Sequence, residues 1–203
     1  LDPALGGSPD LAEFDPEYIN AIELGMKSRF FSDTLQANMT YFYYDYEGLQ
    51  VGKITNQTAV NENYDASIQG FEGEFIWLPD DRWRVTASMA LLEAKIDGGA
   101  SVDPANINQL GTVEYIIRGP ISNIYTGPGC PGGTPTCEGL PVELDGNSLP
   151  NAPEFSVNLG VGYTWPRKNG MALVAATNYY WQDEFYTRVF NATNDKVDNW
   201  EVW

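Results

Sequence analysis

The sequence predicts an all-β chain, part of an antiparallel transmembrane β-barrel, and three observations carry that expectation. Several segments alternate apolar and polar residues with a period of two. The links between them alternate between short and long. Aromatic residues gather at both ends of the alternating segments. Period-two alternation puts all apolar side chains of a strand on one face. Short turns at one rim and long loops at the other are the plan of an outer-membrane barrel.

The clearest strand is FSVNLGVGYTW, within an expected 154–165. Phe155, Val157, Leu159, Val161, Tyr163 and Trp165 alternate with Ser156, Asn158, Gly160, Gly162 and Thr164. RWRVTASMALL, in the strand expected at 83–95, sets Trp83, Val85, Ala87, Met89 and Leu91 against Arg84, Thr86, Ser88, Ala90 and Leu92. AIELGMKSRF, in the strand at 18–30, sets Ile22, Leu24, Met26 and Phe30 against Glu23, Gly25, Lys27 and Arg29. A fourth strand is expected at 35–46, closing at Gly48 after the aromatic run from Tyr41 to Tyr46. SIQGFEGEFIW, expected at 66–77, places Phe71, Phe75 and Trp77 opposite Glu72 and Glu74, with Ile68 and Ile76 out of pattern. MALVAATNYYW, expected at 171–182, is apolar on both faces, and a seventh strand is expected at 200–203. FSDT, LPDDR and PRKNG read as hairpin turns. Residues 47–63, 96–152 and 183–199 read as long extracellular loops.

A soluble β-sandwich or lipocalin-like barrel competes with this reading, because alternation alone does not say which face meets water. The polar faces decide first: they carry mostly Gly, Ser, Thr and Asn, where a solvated surface is richer in Lys and Glu. The strands also run to about ten residues, the length of a tilted bilayer crossing. Finally, Trp77, Trp83 and Trp165 lie beside short turns while Tyr179, Tyr180 and Trp181 lie beside a long loop. Two aromatic girdles around an aliphatic band are what headgroup zones select. Six strands and the start of a seventh cannot close a barrel, and open edges in hydrocarbon cost several kcal/mol per unpaired group. The expectation is a piece of a longer chain or an assembly.

Composition removes other classes. A formal charge of −17 argues against nucleic acid, which needs clustered Lys and Arg. No histidine is present, so His-based catalysis and His metal ligation are excluded within the chain. No catalytic residues, metal site or cofactor are expected. Cys130 and Cys137 make a poor zinc site by themselves. Their spacing in a Gly- and Pro-rich loop favours a disulfide in an oxidising compartment over two free thiols. Acidic residues of the outer loops, among them Asp97, Asp103, Glu114, Glu138, Glu143, Asp145, Asp183 and Glu184, either bind Ca²⁺, favour cationic cargo or only keep the loops solvated.

NAIELGMKSRFFSDTLQANMTYFYYDYEGLQV (20–51) resembles the mid-barrel of TonB-dependent outer-membrane receptors, with an E-L-G-x-K strand, a short turn and a strand ending F-Y-Y-D-Y. NENYDASIQGFEGEF (61–75) and LPNAPEFSVNLGVGY (149–163) resemble two further elements of that family, in the same order. The resemblance implies a 22-stranded barrel in the outer membrane of a Gram-negative bacterium, multi-pass, surrounded by lipid and lipopolysaccharide. It implies active import of a small-molecule ligand, with a ferric siderophore as the first expectation. Energy would come from the TonB system acting through an N-terminal region outside this chain. A passive porin-type channel is the alternative, and a soluble carbohydrate-binding β-domain a third. On this topology Glu23, Lys27, Arg29, Glu72, Glu74 and Arg84 face the lumen, where they either touch plug and substrate or pair as a hydrated lining.

Overall fold

A computed structural model of the chain describes residues 14–55, 58–103, 105, 125–126, 136–137 and 141–203. Seven strands form one sheet: β1 (Tyr18–Phe30), β2 (Leu35–Thr55), β3 (Thr58–Trp77), β4 (Trp83–Ile96), β9 (Phe155–Pro166), β10 (Ala172–Gln182) and β13 (Trp200–Val202). Between β4 and β9 lie four short strands, β5 (Ala100–Val102), β6 (Tyr125–Thr126), β7 (Thr136–Cys137) and β8 (Pro141–Glu143). Two more, β11 (Phe185–Tyr186) and β12 (Lys196–Val197), fall between β10 and β13. The large strands follow the order β1-β2-β3-β4-β9-β10-β13, a meander with no crossover, in which β1 and β13 are the edges. The sheet is therefore all-β and open, as a partial barrel requires.

Two of the expected loops are corrected. Residues 47–55 and 58–63 belong to β2 and β3, so most of the expected 47–63 loop is strand. The reason lies at Gly48, which the sequence presents as a stop. Its φ of 70° marks a local deviation from extended backbone, and side chains satisfy the groups it leaves. Gly48 N–H donates to Asp65 Oδ1 at 2.9 Å, and Asn63 Nδ2 donates to Gly48 O at 2.6 Å. The strand then resumes. Residues 183–199 likewise hold the β11–β12 pair and a short 3₁₀ turn at Thr193–Asp195. The expected Cys130–Cys137 disulfide lies outside the described residues, since Cys130 is not among them.

The described residues divide into two compact units. The first takes in residues 14–19, 45–66 and those described within 95–147. Its core is small: Tyr64, Ala66, Ile96 and Leu144 are buried. Backbone bonds join residues 96–99 to 144–147 and to β3, with Ile96 N–H donating to Asn147 O, Asp97 N–H to Asp65 O and Leu144 N–H to Gly99 O. Antiparallel pairs of β5 with β8 and of β6 with β7 complete it. Gly99 is needed there, because a Cβ would stand 2.8 Å from the Tyr64 ring.

The second unit spans residues 20–44, 67–94 and 148–203. Its register is fixed by antiparallel ladders: Val85↔Val161 and Met89↔Val157 between β4 and β9, and Leu159↔Tyr179 and Val157↔Trp181 between β9 and β10. These partners form one apolar face. Leu159 and Val161 remain 44% and 39% exposed, so among the described residues no second layer covers this face as a sandwich core would. Its short-turn end carries Trp83, Tyr163 and Trp165, with successive ring centroids 4.6 and 4.5 Å apart. Its other end carries Tyr179 and Trp203 at 4.5 Å and Phe155 and Trp181 at 5.7 Å. The turn before β4 is set by Asp80, whose Oδ1 accepts from the N–H groups of Arg82 and Trp83. The segment after β10 is stapled to the segment that leads into β9: Ser148 N–H donates to Asn191 Oδ1 at 2.7 Å, and Asn191 Nδ2 donates back to Ser148 O at 3.0 Å.

Candidate ligand-facing surface

The opposite face of the second unit is polar, and the ladder lists its rows. Arg84 pairs with Gly162 and Gly162 with Ala176. Thr86, Gly160 and Asn178 form the next row, then Ser88, Asn158 and Tyr180, then Ala90, Ser156 and Gln182. Small residues leave this wall thin. At Gly160 no side chain fits, because a Cβ would meet Thr86 Oγ1 at 2.4 Å and Asn178 Oδ1 at 2.5 Å.

Glu72 and Glu74 come from β3, where alternation sends both to this face. They line an open recess of about 230 Å³ with Ser88, Ser156, Asn158 and Tyr180. Asn38 on β2 donates to Glu74 Oε2 at 3.4 Å. Asn38 and Tyr44 are six residues apart on β2 and so share the face. Tyr44 O–H donates to Glu23 Oε1 at 2.5 Å, which places Glu23 there too. Lys27 and Arg29 lie on the same side of β1 by alternation and are exposed, as is Arg84. Of the six residues singled out by sequence, Glu72 and Glu74 share this recess.

The aromatic run of β2 needs a correction. Read as one girdle, it is divided between two faces. Tyr41 lies with the apolar set, where its O–H donates to Gln69 Oε1 at 3.3 Å. Phe42 and Tyr44 lie on the polar face, stacked at 5.1 Å. Phe42 covers Gly70, whose missing side chain makes room for the ring. Alternation in YFYYDY held this information, but the density of rings masked it. Phe42 and Tyr44 are thus polar-face residues that the sequence reading did not assign to that face, and Tyr180, expected in the girdle beside the long loop, lies there too, in the row of Ser88 and Asn158.

The first unit holds a second polar cluster. Lys53 Nζ stands 2.5 Å from Glu62 Oε1 and 2.8 Å from Ser101 Oγ. Ser101 Oγ–H and Tyr64 O–H donate to Glu62 Oε2 at 2.7 and 2.6 Å. Burial of Glu62 opposes ionisation, yet the hydrogen bonds from Lys53, Tyr64 and Ser101 outweigh it and hold its pKa below the usual carboxylate value. Burial, reinforced by the bond to Glu62, pushes the Tyr64 phenol well above its ordinary value. The arrangement is an anchor that ties β5 to β2 and β3. Among the described residues no three Asp, Glu or Cys side chains converge as a metal ion would need.

Comparison with known proteins bears on what such a two-faced sheet belongs to. The family description "TonB dependent receptor-like, beta-barrel" matches residues 3–203. The chain belongs to that family. No curated protein matches it. Among solved structures, a copper transporter, OprC, aligns with a TM-score of 0.56 at 14% identity, covering 94% of this chain and 22% of that one. At that identity the likeness shows the fold alone. The chain thus spans about a fifth of the length of that neighbour.

Proposed function

We propose that this chain is part of the barrel of a TonB-dependent importer in a Gram-negative outer membrane, taking up a scarce nutrient, with a ferric siderophore as the first cargo to test. The observation that carries the reading is the family match over residues 3–203. The bare apolar face, rimmed by rings at both ends, fits lipid, and the polar face fits a hydrated lumen. In this reading Glu23, Lys27, Arg29, Glu72, Glu74 and Arg84 line the lumen. The TonB system engages an N-terminal region of the intact receptor, lipid and lipopolysaccharide surround it, and the protein performs no chemistry on its cargo.

Uptake of ⁵⁵Fe-loaded siderophores by iron-starved cells tests this, with and without the gene and with and without a protonophore. Loss of uptake on deletion, and loss on uncoupling, are expected. Uptake that survives the protonophore would indicate a passive channel instead. Uptake that survives deletion for every siderophore tried would remove that cargo. A parallel arm with copper asks whether the cargo follows that of the structural neighbour.

A further inference from the structure

At the short-turn end of its apolar face, the second unit sets guanidinium groups beside rings. Trp83, Tyr163 and Trp165 stand there in series. Leu173, the register partner of Trp165 on β10, continues the apolar floor and is 53% exposed. Arg82 closes the β3–β4 turn and is held against this row. Its carbonyl accepts from Thr164 N–H at 2.9 Å, and its guanidinium donates to the Tyr163 hydroxyl. Arg167 prolongs β9 with φ −110° and ψ 165°, still extended, so alternation puts it on the side of Tyr163 and Trp165, one step past the last ring. It lies three residues beyond Thr164, about 10 Å along the strand. Two long guanidinium stems close such a gap from either end.

The charges at this end nearly balance. The two turns hold Arg82, Arg167 and Lys168 against Asp80 and Asp81, a net charge of +1. Asp80 commits Oδ1 to the N–H groups of Arg82 and Trp83, and it attracts Arg82 without closing an ion pair. Asp81 is exposed. Lys27, Arg29 and Arg84 belong to the polar face. Asp33 belongs to the β1–β2 turn, which meets the sheet at the end of β3, where Leu78 N–H donates to Thr34 O. Among the described residues, Arg82, Arg167 and Lys168 enter no ion pair. Placement, more than net charge, therefore selects the ligand.

We infer that this rim seats the phosphate of a single membrane phospholipid between Arg82 and Arg167, with its acyl chains over Trp165, Leu173 and Val161. Two guanidinium groups offer a phosphodiester bidentate, charge-assisted bonds, and rings at headgroup level hold the glycerol region. A neutral diacyl lipid gives the guanidinium groups nothing to bond, and a free phosphate leaves the rings and Leu173 uncovered. The inference rests on the membrane reading of the apolar face given above.

The test uses the complete receptor purified in mild detergent. Native mass spectrometry counts retained lipid after addition of phosphatidylglycerol, of diacylglycerol with identical chains, or of phosphatidylglycerol with excess glycerophosphate. One retained phosphatidylglycerol is expected, with no diacylglycerol and no displacement by glycerophosphate. Retention should fall about fivefold for each guanidinium removed in Arg82→Gln and Arg167→Gln. It should persist in Arg84→Gln, which takes the same charge from the same end but on the polar face. Circular dichroism of each variant verifies that the barrel is folded. Equal retention of phosphatidylglycerol and diacylglycerol, displacement by glycerophosphate, unchanged retention in the double variant, or an equal loss in Arg84→Gln overturns the inference. Those outcomes leave the transporter reading standing. That reading fails separately if the protein leaves the membrane in a salt wash without detergent.

Discussion

Replacing Gly70 by Ala is the sharpest probe of the sheet. A Cβ at Gly70 would stand 2.5 Å from Phe42 Cζ and 2.6 Å from the carbonyl oxygen of Leu91. The ring can swing away, but the carbonyl belongs to the neighbouring strand and cannot. Carbon–oxygen approaches between strands are about 3.3 Å at closest, so β3 and β4 must part by roughly 0.7 Å at that point. Overpacking of this kind costs about 1–3 kcal/mol, against which Ala in a strand recovers about 0.5–1 kcal/mol of backbone entropy. The net expectation is destabilisation by about 1–2 kcal/mol, visible as a lower urea midpoint for the refolded receptor. Adding Phe42→Leu removes the ring contact but not the carbonyl contact, so it is expected to restore only part of the loss. An unchanged midpoint in Gly70→Ala, or full rescue by Phe42→Leu, would refute the argument.

Three other outcomes are expected. Because the pKa of Glu62 is lowered from 4.5, the stability it contributes is complete above that value and drains away as pH falls through the lower folded-state value. Hydrogen-exchange protection over residues 96–103, taken relative to the intrinsic amide rate at each pH, should therefore fall on acidification, and Glu62→Gln should abolish that change in protection. Asn191→Ala removes three hydrogen bonds, to Ser148 N–H, Ser148 O and Arg188 O. At about 1 kcal/mol each, the loss should expose residues 188–195 to limited proteolysis, and Asn191→Gly, which suits the φ of 48°, should not rescue it. Thiol labelling of Cys130 and Cys137 should fail without reductant and succeed with it; labelling beforehand excludes the disulfide.

The strands were legible because a single buried or lipid-facing side imposes period two, as in Phe155 to Trp165. The strand extension beyond Gly48 was not, because the groups that rescue that glycine come from Asn63 and Asp65, 15 and 17 residues away. The polar face was legible in its charges, Glu72 and Glu74, but not in its rings. YFYYDY puts rings on both sides, and contacts distant in sequence, Asn38 with Glu74 and Phe42 over Gly70, assign them. The Lys53–Glu62–Ser101 anchor joins residues from three segments, and no local pattern announces it.

The relief of the polar wall has a consequence of its own. Along β9 it is thin at Gly162, where Ala176 is the neighbour, and it is raised on β2 by the stacked Phe42 and Tyr44. A flat molecule laid on this face would reach the floor at β9 and meet a step at β2, with β3 and β4 as the slope between them.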